Sequence, residues 1–169
     1  MNQLKNCKSV QSNLAQTNFP KLTWADFSAQ PDKNSRFHAY SYWKINYSYT
    51  YTISSEKVLV NVKTKCIFEK ERSWVKPEFM TQELLEHEQG HYYIGCLCAL
   101  AFKKRVKEAV LSKTTFKSKI KEIFDQTLEE FLKLEEIYDQ ETCHFYNQEK
   151  QKIWDKKLDR KIQNLVFYW

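Results

Sequence analysis

Residues 37–68 read FHAYSYWKINYSYTYTISSEKVLVNVKTKCIF, and this segment is the best guide to the class of fold. The odd positions from 37 to 53 are mainly apolar or aromatic, whereas the even positions are mostly polar. After residues 54–57, apolar and polar residues alternate again from Val58 to Phe68. A period of two places one kind of side chain on one face of a β-strand. The segment therefore predicts a long strand over residues 37–53, a turn, and an antiparallel partner strand.

Helical patterning replaces this alternation after residue 77. We predict a first helix that begins near Pro77 or Thr81, with Thr81 as a candidate N-cap, and ends near Val110. A second helix is predicted over about residues 116–137 and a third over about residues 145–163, with an interruption at residues 138–144 between them. Strands followed by helices indicate an α+β fold. We expect residues 1–20 to form an extended lead-in and residues 21–169 to form a single domain.

The composition excludes several classes of protein. Hydrophobic residues make up 42% of the 169 residues, which is far from the composition of a disordered chain. Five cysteines without a C-x-x-C pair indicate neither a disulfide framework nor a cysteine zinc site. No run of 18 apolar residues occurs, so no membrane span is expected. The polar N-terminus shows no signal peptide, which leaves both the cytoplasm and an exported location open.

Charge is distributed unevenly over the helical half of the chain. Residues 103–122 hold eight Lys or Arg against two acids, and residues 125–141 hold seven acids against Lys133. A basic patch can favour nucleic acid or anionic lipid, but no recognisable nucleic-acid motif accompanies this one. We therefore expect two helices whose opposite charges face each other or solvent, and no nucleic-acid partner. An adaptor or nucleic-acid-binding helical module without a metal is the competing interpretation.

His87-Glu88-Gln89-Gly90-His91 is an H-E-x-x-H motif within the first predicted helix. Residues i and i+4 of a helix lie one turn apart on one face, so both imidazoles can reach one metal ion. We predict that His87 and His91 bind a single Zn²⁺. Glu88 is adjacent to that face and is the predicted general base for a zinc-bound water. The expected reaction is hydrolysis of a peptide bond in a peptide or protein substrate.

A catalytic zinc site also needs a third protein ligand. His144 is the only histidine downstream of the motif, and it lies in the predicted interruption between helices. We take His144 as the first candidate for this ligand. Tyr138 is a candidate to stabilise an oxyanion, with a packed core tyrosine as the alternative. The carboxylates that compete with His144 are Asp139, Glu135, Glu136 and Glu141.

The chain resembles a bacterial family of predicted secreted zinc-dependent proteases, domain of unknown function 922. The matching segments span about residues 22–157. They are Leu22-Thr23-Trp24-Ala25-Asp26-Phe27, Ser73-Trp74-Val75, Leu84-Leu85-Glu86-His87-Glu88-Gln89-Gly90-His91 and Tyr138-Asp139-Gln140-Glu141-Thr142-Cys143-His144, followed by Gln151 and Trp154.

The resemblance implies a zincin-like fold, one zinc ion, a place for His144 in a shared motif, and a periplasmic or secreted location. The chain departs from the family pattern at Tyr93 and Cys96, where acidic residues are usual, and at Phe145, where glycine is usual. These departures leave an alternative function open. In that alternative, the chain is a catalytically inactive zinc-binding domain that serves as an interaction module.

Overall fold

Strands precede helices in the structure, a computed structural model that describes residues 19–55 and 57–166. Most of the predicted lead-in, residues 1–18, lies outside the described residues. The α+β class is confirmed, with a small antiparallel β part and three long helices. The elements are β1 (Ala39–Tyr40), β2 (Trp43–Ser54), β3 (Lys57–Phe68), β4 (Trp74–Val75), α1 (Gln82–Glu108), α2 (Phe116–Thr142) and α3 (Gln148–Val166), with short 3₁₀ helices at Trp24–Asp26, Lys70–Arg72 and Pro77–Phe79.

The predicted hairpin is confirmed as β2 and β3. The two strands pair antiparallel along their whole length, from Trp43 opposite Phe68 to Ser54 opposite Lys57. Burial alternates as the sequence pattern predicts, because Trp43 and Val62 are buried whereas Lys44 and Lys63 are exposed. The hairpin therefore lays one face on α1 and leaves the other to solvent.

The prediction of one continuous strand over residues 37–53 is wrong, because the chain changes partner at Tyr42. β1 pairs with β4, with Ala39 opposite Val75, whereas β2 pairs with β3. At the change, the Tyr42 N–H donates to Ser73 Oγ at 2.9 Å and the Tyr42 carbonyl accepts from the Glu69 N–H at 2.8 Å. The buried Ser73 hydroxyl thus takes the place of a backbone carbonyl as the acceptor for Tyr42. At this point the chain passes from the sheet of β1 and β4 to the sheet of β2 and β3.

α1 begins at Gln82, and Thr81 is its N-cap as predicted. The Thr81 hydroxyl accepts a hydrogen bond from the Leu84 N–H at 3.2 Å. Ile94, Leu97 and Phe102 of this helix are fully buried. Because α1 packs against the hairpin, α2 and α3, residues along its length contribute to both apolar clusters of the core.

α2 is longer than predicted and ends at Thr142, so the predicted interruption at residues 138–144 is wrong for residues 138–142. The break is the turn at residues 143–147, in which Cys143, His144 and Phe145 have φ values of 49°, 51° and 80°. Left-handed backbone ends a helix, and glycine is the residue that usually supplies it. None of the three is glycine, so the sequence offers no signal for the true end of α2.

Ion pairs account for several of the charges in the helical half. Arg105 of α1 contacts Glu130 of α2, as expected for helices whose opposite charges face each other. Lys119 and Lys121 instead pair with acids one turn away on α2 itself. Within residues 19–55 and 57–166, no helix is long and apolar enough to span a membrane.

Gly95 lies where α1 crosses the ring of Trp43. A Cβ atom at residue 95 would lie 2.5 Å from Trp43 Cδ2, and the indole N–H is held at 2.8 Å by Glu135 Oε1. We expect Gly95→Ala to lower the free energy of unfolding, because overpacking costs about 1–3 kcal/mol and the gain in helix propensity is only about 1 kcal/mol. Urea unfolding measures the difference. A variant more stable than the wild type would contradict this packing.

Candidate metal centre

His87 and His91 project from α1 toward α2 and are one helical turn apart. His87 is 1% exposed, and the His91 side chain is also largely buried. Their Nε2 atoms are 3.3 Å apart. The two imidazole nitrogens thus meet at one point, as the H-E-x-x-H spacing predicts for a helix.

Asp139 of α2 completes a three-atom cluster with these nitrogens. Its Oδ1 atom lies 3.1 Å from His87 Nε2 and 3.0 Å from His91 Nε2. Ligand atoms about 2.0–2.1 Å from a tetrahedral zinc ion are separated by about 3.4 Å. The observed separations of 3.0–3.3 Å are close to that value. The size of the cluster therefore fits a zinc ion bound by two imidazoles and a carboxylate.

The other nitrogen of each imidazole is held by an acceptor. His87 Nδ1 lies 3.1 Å from Gln151 Oε1, and His91 Nδ1 lies 3.0 Å from Glu135 Oε1. Because both partners accept hydrogen bonds, we assign the proton of each neutral ring to Nδ1 and the lone pair to Nε2. Both lone pairs then point at the Asp139 carboxylate oxygen. Three electron-rich atoms at this distance repel one another unless a positive charge, from a proton or a metal ion, lies among them.

The same contacts shift the pKa values of His91 and Asp139. Burial by itself lowers the pKa of His91, but hydrogen bonds to Asp139 and Glu135 raise that pKa well above its usual value. Burial raises the pKa of Asp139, but hydrogen bonds from His87 and His91 bring that pKa well below its usual value. The site thus stabilises positive charge beside the Asp139 carboxylate.

His144, the first candidate for the third ligand, lies beside this cluster. Its Nδ1 atom is 3.4 Å from Asp139 Oδ1, and its side chain is 43% exposed. His87, Asp139 and His144 can each offer a ligand atom within 4.8 Å of the others. The ring packs edge-on against Phe37. The left-handed turn after α2 therefore brings His144 to the site, whereas Asp139 places an oxygen within hydrogen-bond distance of both motif histidines.

Glu88 is buried at 3% exposure and lines the same cleft as the histidines. Its Oε2 atom has no hydrogen-bond partner in the described part of the chain. A buried carboxylate oxygen without a partner is unfavourable in a protein interior, and such groups occur where a water or a substrate proton completes the site. The position suits the role of general base that the sequence predicts.

Tyr138 is not placed to stabilise an oxyanion, which corrects the sequence-based expectation. The side chain is fully buried, and its hydroxyl donates to the His87 carbonyl at 3.0 Å and accepts from Gln151 Nε2 at 2.7 Å. Its ring stacks on the His87 ring with centroids 4.7 Å apart, and burial raises its pKa. Gly90 permits this contact, because a Cβ atom there would lie 2.2 Å from the hydroxyl oxygen. Tyr138 thus holds His87 in position through its hydroxyl and its ring.

The remaining carboxylate candidates have separate surroundings. Glu135 accepts from His91 Nδ1 and from the Trp43 indole, so it orients the His91 ring. Glu141 accepts from the Trp154 indole at 2.9 Å. Glu136 lines the cleft and is exposed. Gln151, which follows the last of the family segments, contacts His87 from α3, and no local pattern in the sequence indicates that contact.

The cluster of His87, His91 and Asp139 opens into a cleft of about 560 Å³ between β1, α1, α2 and the turn after α2. His38 also lines this cleft. Its ring stacks on Phe79 at 3.6 Å, and Tyr146 approaches its Nδ1 atom at 3.3 Å. Burial lowers the pKa of His38.

Comparison with known proteins gives a family without an assigned activity. The model of the family described as "Bacterial protein of unknown function (DUF922)" matches residues 16–145. Neither a curated protein nor a solved structure matches the chain significantly. The matched residues include β1 to β4, α1, α2 and the cluster of His87, His91 and Asp139. The chain therefore belongs to this bacterial family of unknown function.

Proposed function

We propose that the chain is a zinc-dependent peptidase of zincin-like type. The observation that carries the proposal is the convergence of His87 Nε2, His91 Nε2 and Asp139 Oδ1 within 3.3 Å, with the Nδ1 atom of each imidazole held by an acceptor. This is the arrangement that catalytic zinc sites use, in which an acceptor behind each imidazole fixes its ring and tautomer.

Two imidazole nitrogens and one carboxylate oxygen are a donor set that suits zinc. When bound, zinc supplies a Lewis acid that polarises a carbonyl group and lowers the pKa of a water to about 7. His87, His91 and Asp139 would hold it. His144 contacts Asp139 and would fix the orientation of that carboxylate. Three protein ligands leave one position for water or substrate.

Glu88 supplies the proton transfers of the proposed reaction. Glu88 lines the cleft beside the histidines, and its buried Oε2 atom has no hydrogen-bond partner among the described residues, so it would be available to a water held at the site. The carboxylate takes a proton from that water as the oxygen attacks the substrate carbonyl, and it then delivers the proton to the leaving amine. Burial keeps the carboxylate away from bulk water during both transfers.

Among the described residues β1 pairs with β4 alone, and its other edge supports a polypeptide as the substrate. Lys76 N–H donates to the His38 carbonyl at 2.8 Å, so these opposed residues form a hydrogen-bonded pair and Ala39 opposite Val75 does not. The N–H and C=O groups of Ala39 therefore face away from β4. Ala39 and Ser41 both line the cleft. An extended chain can pair with such an edge and present its carbonyl groups to the metal centre.

One observation favours a second function, an inactive zinc-binding module. His144 lies close enough to His87 and Asp139 to share a metal ion with them. Four protein ligands would close the site, and closed zinc sites are structural. Metal content does not separate the two functions, because both require the same metal. Measurements of peptide hydrolysis do separate them.

Metal removal tests the proposed function. We expect the zinc-loaded protein to hydrolyse a quenched-fluorescent peptide library, to lose that activity on chelation, and to regain it with zinc but not with magnesium. A protein that holds one zinc ion and hydrolyses no peptide would support the inactive module. Hydrolysis that survives complete removal of zinc would contradict the proposal.

A further inference from the structure

A second cavity of about 300 Å³ adjoins the cleft on the side toward β2. The two cavities share Tyr40, Ser41, Leu132 and Glu135, so they form one continuous groove. One side of the groove is the chain from β1 into β2, and the opposite side is α2. The second cavity therefore begins where the free edge of β1 ends.

Most of the side chains that line the second cavity are apolar or aromatic. Phe124, Leu128 and Leu132 recur every four residues along α2 and so lie on one face of the helix. Trp43 and Ile45 of β2 also line the cavity. Leu132 is 46% exposed, which is unusual for a large aliphatic side chain beside a polar site.

The charged groups at the cavity already have partners. Glu135 accepts from the Trp43 indole and from His91 Nδ1, and Lys44 pairs with Glu69 at 2.8 Å. These ion pairs and hydrogen bonds leave the apolar side chains as the main surface for an occupant. A charged side chain placed there would lose its hydration without gaining a new partner.

We propose that this cavity binds a large apolar side chain of the substrate, either aromatic or aliphatic. The inference rests on the proposed peptidase function and specifies its substrate class. A chain paired with the edge at Ala39 and Ser41 advances about 3.3 Å per residue. The cavity extends from Tyr40 to Ile45. Because Glu135 lines the cavity and also contacts His91, the selected side chain lies close to the bond that is cut.

Leu132→Ala tests the subsite, with Ile137→Ala as the matched control. Both residues are large exposed aliphatics of α2, at 46% and 44% exposure, but Ile137 lines neither cavity. The substrates are peptides that are identical except for Phe, Leu, Ala, Asp or Lys at one position near the cut. We expect Leu132→Ala to reduce the preference for Phe over Ala in kcat/KM by about tenfold. Ile137→Ala should retain the wild-type preference.

A charge change gives a second test of the same subsite. Leu132→Glu should weaken cleavage of the Phe peptide and improve cleavage of the Lys peptide, each compared with cleavage of the Ala peptide by the same variant. Wild-type zinc content in each variant would show that the metal centre is intact. Unchanged side-chain preference in both Leu132 variants, with zinc bound, would overturn the subsite while leaving the peptidase function in place.

Binding measurements keep the proposal testable if the protein cleaves nothing. Fluorescein-labelled Phe and Ala peptides can be titrated against zinc-loaded protein and followed by polarisation. Tighter binding of the Phe peptide that Leu132→Ala abolishes would support the subsite even if catalysis fails. Equal binding of both peptides, or a dimer in sedimentation that Leu132→Ala dissociates, would overturn it and assign the groove to a second copy of the chain.

Discussion

Asp139→Ala should leave the purified protein with little zinc. Its carboxylate oxygen is the atom that contacts both motif imidazoles, at 3.1 Å and 3.0 Å. Removal of one of three protein ligands weakens a zinc site by orders of magnitude, and we expect His91→Ala to behave in the same way. Zinc content by elemental analysis and affinity by competition with a chelating dye measure the effect.

His144→Ala is the control for this substitution. His144 contacts Asp139 from the side, so its loss should weaken zinc binding by about ten- to a hundredfold at most. Circular dichroism on each variant shows whether the fold persists. A steep loss in His144→Ala beside a small loss in Asp139→Ala would make His144 the third ligand. Small losses of zinc affinity in both variants would show that the metal does not bind at this cluster.

Glu88→Gln should lower the rate of peptide hydrolysis by a factor of about 10² to 10⁴, which is the usual contribution of general-base catalysis. The zinc content should stay at the wild-type level, because Glu88 is not one of the three ligand residues. The melting temperature should not fall, because the substitution removes the charge of a buried carboxylate whose Oε2 atom has no partner. A steady-state assay of the zinc-loaded variant gives the rate.

Glu136→Gln is the matched control for Glu88→Gln, since Glu136 lines the same cleft but is exposed. We expect this variant to retain most of the activity. Undiminished hydrolysis by Glu88→Gln would show that another group activates the water. An equal loss in both variants would point to the negative charge of the cleft rather than to a base at Glu88.

Local patterns predicted the parts of the site that lie close together in sequence. The alternation over residues 43–68 gave the hairpin, and Thr81 gave the start of α1. His87 and His91 converge because helix geometry alone places residues four apart on one face. These features depend on the periodicity of strands and helices, which is visible in the spacing of residues along the sequence.

Features that depend on tertiary packing could not be predicted in this way. Asp139 reaches the histidines because α2 packs on α1, and Gln151 reaches His87 from α3. The sequence predicts an end of α2 before Asp139, whereas the helix continues to Thr142. The three left-handed residues that follow it include no glycine, so the sequence does not reveal this end. The sequence allows Tyr138 to be a candidate for stabilising an oxyanion, because it does not show that the hydroxyl donates to the His87 carbonyl.

An anomalous-difference map at the zinc absorption edge, from crystals of the zinc-loaded protein, tests the central claim most directly. We expect a single peak bounded by His87 Nε2, His91 Nε2 and Asp139 Oδ1, about 2.0–2.2 Å from each atom. Density for a water on the side of Glu88 would show the open position. A peak elsewhere in the molecule, or no peak at these three residues, would contradict the proposed metal centre.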